Sequence, residues 1–124
     1  NQTQYGLAAG VWTRDISSAT GMAIDKTNIY IADDQDNVHS LDRASGSSRW
    51  KQDKLLRRKL TAPVVVDGKV VVGDSLGYLH VMSKDDGALT GRITVDGGAV
   101  NAMVPAGDGL LVQTAGGTLA FIRF

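Results

Sequence analysis

The chain has 124 residues, the length of a single domain, and its 13 Lys plus Arg balance 13 Asp plus Glu to a formal net charge of zero. That balance argues against a surface that holds nucleic acid or membrane by bulk charge, and no apolar run approaches the roughly 20 residues needed to cross a bilayer. There is no cysteine, which excludes disulfides and thiolate chemistry, while 15 glycines and 2 prolines suit a turn-rich all-β chain.

Asn1 opens a polar stretch without the apolar centre of a secretory leader. Trp12-Thr13-Arg14-Asp15 is echoed by Trp50-Lys51-Gln52-Asp53, so residues 7–16 are predicted to be the last strand of a preceding unit. The next unit runs over residues 19–52. Asn28 to Ala32, with β-branched Ile29 and Ile31, reads as its second strand, Asp33 to Asn37 as a polar turn, and Val38 to Asp42 as its third strand. Ser40-Leu41-Asp42, then Ser45-Gly46, then Trp50, matches the quinoprotein-type repeat. The physical content of that motif is a glycine free to take positive φ in the turn and a Trp that wedges between neighbouring sheets.

Residues 53–60, DKLLRRKL, connect this unit to the next. Thirteen residues separate Trp12 from Asp25, but seventeen separate Trp50 from Asp67, so this connection is about four residues longer than its predecessor. Leu55, Leu56, Arg57 and Arg58 are the candidate partner-binding residues, because apolar and Arg side chains on a loop make good anchors. The competing reading is that the leucines cap the core and the basic residues are solvated.

The stretch 61–95 is the clearest part of the chain. Pro63 to Val66 and Val70 to Val72 are apolar and flank Asp67-Gly68, a strong hairpin signal. Tyr78, His80 and Met82 alternate with Leu79 and Val81, which predicts a strand with two distinct faces. Asp85-Asp86-Gly87 turns the chain into a weaker, more polar strand over 88–95. Superposing this unit on the one before it sets Asp25 on Asp67, Ile29 on Val70, Asp33 on Asp74, His39 on His80 and Gly46 on Gly87. A third copy over 99–124 sets Leu110 on Val70, Gly117 on Gly77 and Leu119 on Leu79, with room for three strands. A four-stranded unit repeating about every 40 residues is the signature of a β-propeller blade. The predicted fold is therefore all-β: part of a β-propeller of four-stranded antiparallel meander blades, about two complete and two partial. An orphan fourth strand at one end and a three-stranded blade at the other read as the C-terminal piece of a larger ring, and its open strand edges predict self-association.

No catalytic constellation emerges. His39 and His80 are repeat equivalents, which favours packing or hydrogen bonding over catalysis. Asp33, Asp34 and Asp36 begin like a calcium loop, but the Gly and Glu that such a loop needs downstream are missing. Asp33 and Asp74 are expected to accept turn amides instead. Gly97-Gly98 and Gly116-Gly117 read as turns, since no helix follows to make a phosphate cradle.

Leu55-Leu56-Arg57-Arg58-Lys59-Leu60-Thr61-Ala62-Pro63 and Val71-Val72-Gly73-Asp74-Ser75-Leu76-Gly77-Tyr78-Leu79-His80 resemble the C-terminal part of the BamB family, the outer-membrane-protein assembly lipoproteins of Gram-negative bacteria. The resemblance covers residues 12–124. It implies an eight-bladed propeller tethered by an N-terminal lipid to the periplasmic side of the outer membrane. It also implies a non-enzymatic scaffold without cofactor or metal. The implied partners are the POTRA domains of BamA and unfolded outer-membrane proteins, with no nucleic acid. It further implies membrane association through the lipid alone. A quinone-dependent (PQQ) dehydrogenase shares the repeat and is the alternative, followed by a sugar-binding or other interaction propeller.

Overall fold

The computed structural model describes residues 19–124; the strand predicted over 7–16 lies outside them. The described residues form eleven strands and no helix. Strands β1 (Ala19–Ile24), β2 (Asn28–Asp33), β3 (Val38–Asp42) and β4 (Ser48–Gln52) make a first antiparallel sheet, paired in chain order. Strands β5 (Val64–Val66), β6 (Lys69–Gly73), β7 (Tyr78–Ser83) and β8 (Leu89–Thr94) make a second in the same way. The third sheet has three strands, β9 (Val100–Ala106), β10 (Gly109–Thr114) and β11 (Leu119–Arg123). Hairpin connections explain the order, since short turns force sequential strands to be antiparallel neighbours. At the β5–β6 turn Asp67 and Gly68 both take positive φ, 50° and 72°. A type I′ turn requires that combination, and its twist matches that of the strands it joins.

The sheets stack face to face, with their first strands β1, β5 and β9 adjacent, as in neighbouring propeller blades. Alternation along each strand sends one set of side chains to each interface. Between the first and second sheets Tyr30, Val38 and Trp50 meet Val70, Val72 and Met82. Between the second and third sheets Val71, Leu79 and Val81 meet Leu110 and Val112. Both faces of β7 are thus buried, with Met82 on one side and Leu79 and Val81 on the other. Pro105 is tolerated because β9 ends its sheet, so its missing N–H breaks no ladder.

Trp50 stitches the first interface at its outer rim. Its indole Nε1 donates to the Lys84 carbonyl at 2.9 Å. Its ring lies over Gly87, where a Cβ would fall 2.4 Å from the ring carbon Cε3. Gly87 is therefore required twice, by this close approach and by its φ of 75°. In the second sheet the register place of Trp50 is taken by Gly91: Trp50 faces Ser40 across its ladder, and Gly91 faces Val81.

Candidate partner-binding site

The connector between β4 and β5 is fixed at both ends by apolar anchors. Leu55 and Leu60 insert into the core between the first two sheets, beside Trp50, Val70 and Met82. Leu55 is only 2% exposed, so it holds the connector in place and offers no surface to a partner. The expectation of Leu55 as a contact residue is corrected accordingly: burying it removes an apolar side chain from water, which the neighbouring Leu56 does not achieve. Leu56 is 52% exposed, and Arg57 also faces solvent.

The backbone between these anchors is strained. Arg57 and Lys59 have φ of 65° and 56°, a left-handed conformation that costs an L-residue about 1–2 kcal/mol. Hydrogen bonds from both sheets offset it. Asp36, in the β2–β3 turn, accepts the Lys59 amide at 3.1 Å and the Leu60 amide at 2.9 Å. Ser75, in the β6–β7 turn, donates its amide to the Arg58 carbonyl at 3.0 Å. At the start of the connector the Gln52 side chain accepts the Lys54 amide at 2.9 Å and donates to the Gly87 carbonyl at 2.8 Å. The loop is thus held to one conformation, with Leu56 and Arg57 projecting outward.

Arg58 turns inward to a buried carboxylate. Its Nη1 lies 3.5 Å from Oδ2 of Asp74, whose side chain has no exposed surface. Oδ1 of Asp74 accepts the amides of Leu76 at 2.9 Å and Tyr78 at 3.0 Å, and Oδ2 accepts His80 Nε2 at 2.8 Å. Burial pushes the Asp74 carboxyl up, but the His80 bond and then the two amides outweigh it and hold the group below its ordinary value. Asp33 repeats the arrangement with the amides of Gln35 and Asn37 and with His39 Nε2 at 2.8 Å. Burial again raises this carboxyl, and the bonds from His39 and Asn37 bring it down. In the third sheet Thr114 takes the Asp position, accepting the Thr118 amide on its hydroxyl at 3.2 Å. The two aspartates do accept turn amides, and the histidines complete the carboxylates' hydrogen bonding.

The acidic turn at Asp33 to Asp36 is consumed in the same way, Asp33 by its own turn and Asp36 by the connector. Among the described residues no group of three or more His, Cys, Asp or Glu side chains is placed to hold a metal ion.

The fold adds residues that the sequence did not single out. Arg92 of β8 stands directly opposite His80 of β7, on the face turned toward the connector. With Lys54, Arg58 and Leu89 it lines a cleft of about 410 Å³. Its guanidinium sits 4.7 Å over the Tyr78 ring, a cation–π contact that orients it. Only strand pairing brings Arg92 to the connector, and the chain itself carries no signal for it.

A family model described as "Outer membrane protein assembly factor BamB" matches residues 2–52. Outer membrane protein assembly factor BamB of Alkalilimnicola ehrlichii is 42% identical over 113 residues, which is 90% of this chain and 30% of that protein. The Escherichia coli protein of the same name is 38% identical over 122 residues, 96% of this chain and 31% of its own length. The chain is homologous to BamB. It spans about 30% of the length of the curated relatives it matches. The crystal structure of BamB from Moraxella catarrhalis superposes with a TM-score of 0.80 at 24% identity, covering 88% of this chain and 32% of that one. A europium-containing methanol dehydrogenase superposes at 0.52 with 22% identity, over 60% of this chain and 15% of that one. At these identities the two structures speak for the fold alone, a β-propeller shared by BamB and by the dehydrogenase.

Proposed function

We propose that this chain is part of a non-enzymatic scaffold subunit of the machinery that assembles outer-membrane β-barrels. In this reading it works on the periplasmic side of the outer membrane and binds the POTRA domains of BamA, assisting unfolded outer-membrane proteins. A lipid on the N-terminal segment of the longer protein anchors it. Residues 19–52 and 61–95 each act as a blade, and residues 99–124 supply three strands of the closing blade. The observation that carries the reading is the homology, at 37–42% identity over roughly nine-tenths of the chain, to proteins named for outer-membrane protein assembly. The contact surface assigned here is the outward part of the connector, Leu56 and Arg57, with Arg58 behind it. A rigid loop that presents an apolar and a cationic side chain loses little entropy on binding.

The test is a pull-down of BamA POTRA domains by the full chain, wild type against Leu56→Asp with Arg57→Glu. Lost capture at unchanged melting temperature makes the connector the contact. Equal capture moves the contact elsewhere on the propeller, and a wild type that captures nothing sinks the scaffold reading.

A further inference from the structure

We propose that the cleft between the connector and β8 binds an extended, acidic peptide segment of a partner protein. This deepens the partner-site reading of the connector and rests on it for its location, since Lys54 and Arg58 belong to that loop. The first observation is charge. Lys54, Arg58 and Arg92 line one cleft, although the chain as a whole is neutral. Among the described residues, neither Lys54 nor Arg92 has a carboxylate partner. Arg58 has only Asp74, whose two oxygens already accept His80 and the amides of Leu76 and Tyr78. Three cations thus share one buried, heavily committed carboxylate, and the deficit is met by acidic groups from outside. A second cleft, at Lys26, Arg43 and Arg49, shows the contrast. There Arg49 is paired with Asp42 at 2.7 Å and Arg43 with the Asp25 carbonyl at 3.0 Å, so those guanidinium groups are satisfied from within.

The second observation concerns shape. The cleft runs along Leu89 to Arg92 of β8, an edge strand whose outer side carries no strand among the described residues. Gly91 in this strand needs neither the freedom nor the space of a glycine. Its φ is not positive, and an added Cβ would meet only the Val81 Cβ at 3.9 Å. A bare backbone at an open edge is where another extended backbone approaches closely. Exposed Leu89 lines the cleft beside the charges and fits an apolar residue between the acids. The occupant is therefore a segment in which Asp or Glu alternates with an apolar residue. A membrane surface would call for a broad basic face, which a neutral chain does not provide.

The test uses the full chain and a fluorescein-labelled ten-residue peptide alternating Glu and Val, read by fluorescence anisotropy. The controls are the same peptide with Lys for Glu, and vesicles of phosphatidylglycerol in phosphatidylcholine. The expected result is salt-sensitive binding of the Glu peptide alone, weakened about tenfold or more by Lys54→Glu with Arg92→Glu. Both side chains lie outside the core, so the variant's circular dichroism and melting temperature should match the wild type. Equal binding by the variant, or capture of the vesicles in place of the peptide, overturns the proposal. POTRA capture is measured alongside. A wild type that binds POTRA domains but not the peptide overturns the cleft alone, whereas one that binds the peptide but not POTRA domains leaves the cleft's chemistry standing and sinks the assembly reading.

Discussion

Asp33 and Asp74 do the same work in successive sheets: each closes the turn between the second and third strands and fixes a buried His behind it. Both carboxyls titrate below their ordinary value of 3.8 in the folded chain, against the opposing pull of burial. Their contribution to stability is therefore complete above that ordinary value and is lost as pH falls through the lower, folded value. Asp74→Asn should be less stable than wild type at pH 7 by about 1–3 kcal/mol, because a neutral amide cannot present acceptors to His80 and both amides at once. It should also lose less stability than wild type between pH 7 and pH 3. Urea unfolding at the two pH values checks both statements, and parallel pH dependences would show that the carboxylate contributes no pH-linked stability. The sequence exposed this motif because two copies stand in register, whereas Thr114 in the third copy kept the turn and abandoned the charge.

The connector shows what an element can hide. Leu55 and Leu56 are adjacent and chemically identical, yet one closes the core and the other faces water. Nothing local in the sequence assigns their roles, because the two left-handed residues that aim the loop are Arg57 and Lys59, types with no preference for that conformation. The decision comes from Asp36 and Ser75, contributed by turns of two different sheets. Leu55→Ala should accordingly destabilise the chain by about 2–5 kcal/mol, and Leu56→Ala by less than about 0.5 kcal/mol. Denaturant midpoints of the two variants measure the difference, and similar losses would contradict the placement. Of the two leucines that the sequence left undivided, Leu55 caps the core and Leu56 faces solvent.

Across the whole molecule, burial is uneven. The second sheet is covered on both faces, but the outer face of the third sheet carries exposed Val104, Leu111, Phe121 at 46% and Leu119 at 70%. Cross-strand pairing puts these side chains on one surface: Leu111 faces Val104 on one side and Phe121 on the other. A contiguous apolar face of this kind is a contact surface for another sheet. The 124-residue chain is therefore expected to self-associate through it, with the apparent mass in light scattering rising with concentration. Leu119→Lys with Phe121→Glu should lower that mass toward the monomer. An unchanged mass would assign the association to strand edges elsewhere.

Sequence alone determined the fold class, because propeller blades are built from local events. Each strand pairs with its neighbour through a short turn, so the repeat of about 40 residues, Asp67-Gly68 and the alternation around His80 contain nearly everything that a blade requires. Tertiary structure decided what faces outward. Leu55 is buried by a neighbouring sheet, Arg92 joins Lys54 and Arg58 only through the pairing of β8 with β7, and Gly91 stands where the preceding blade has Trp50. Those placements depend on contacts between blades, which join residues distant in the chain, and periodicity within a blade carries no information about them.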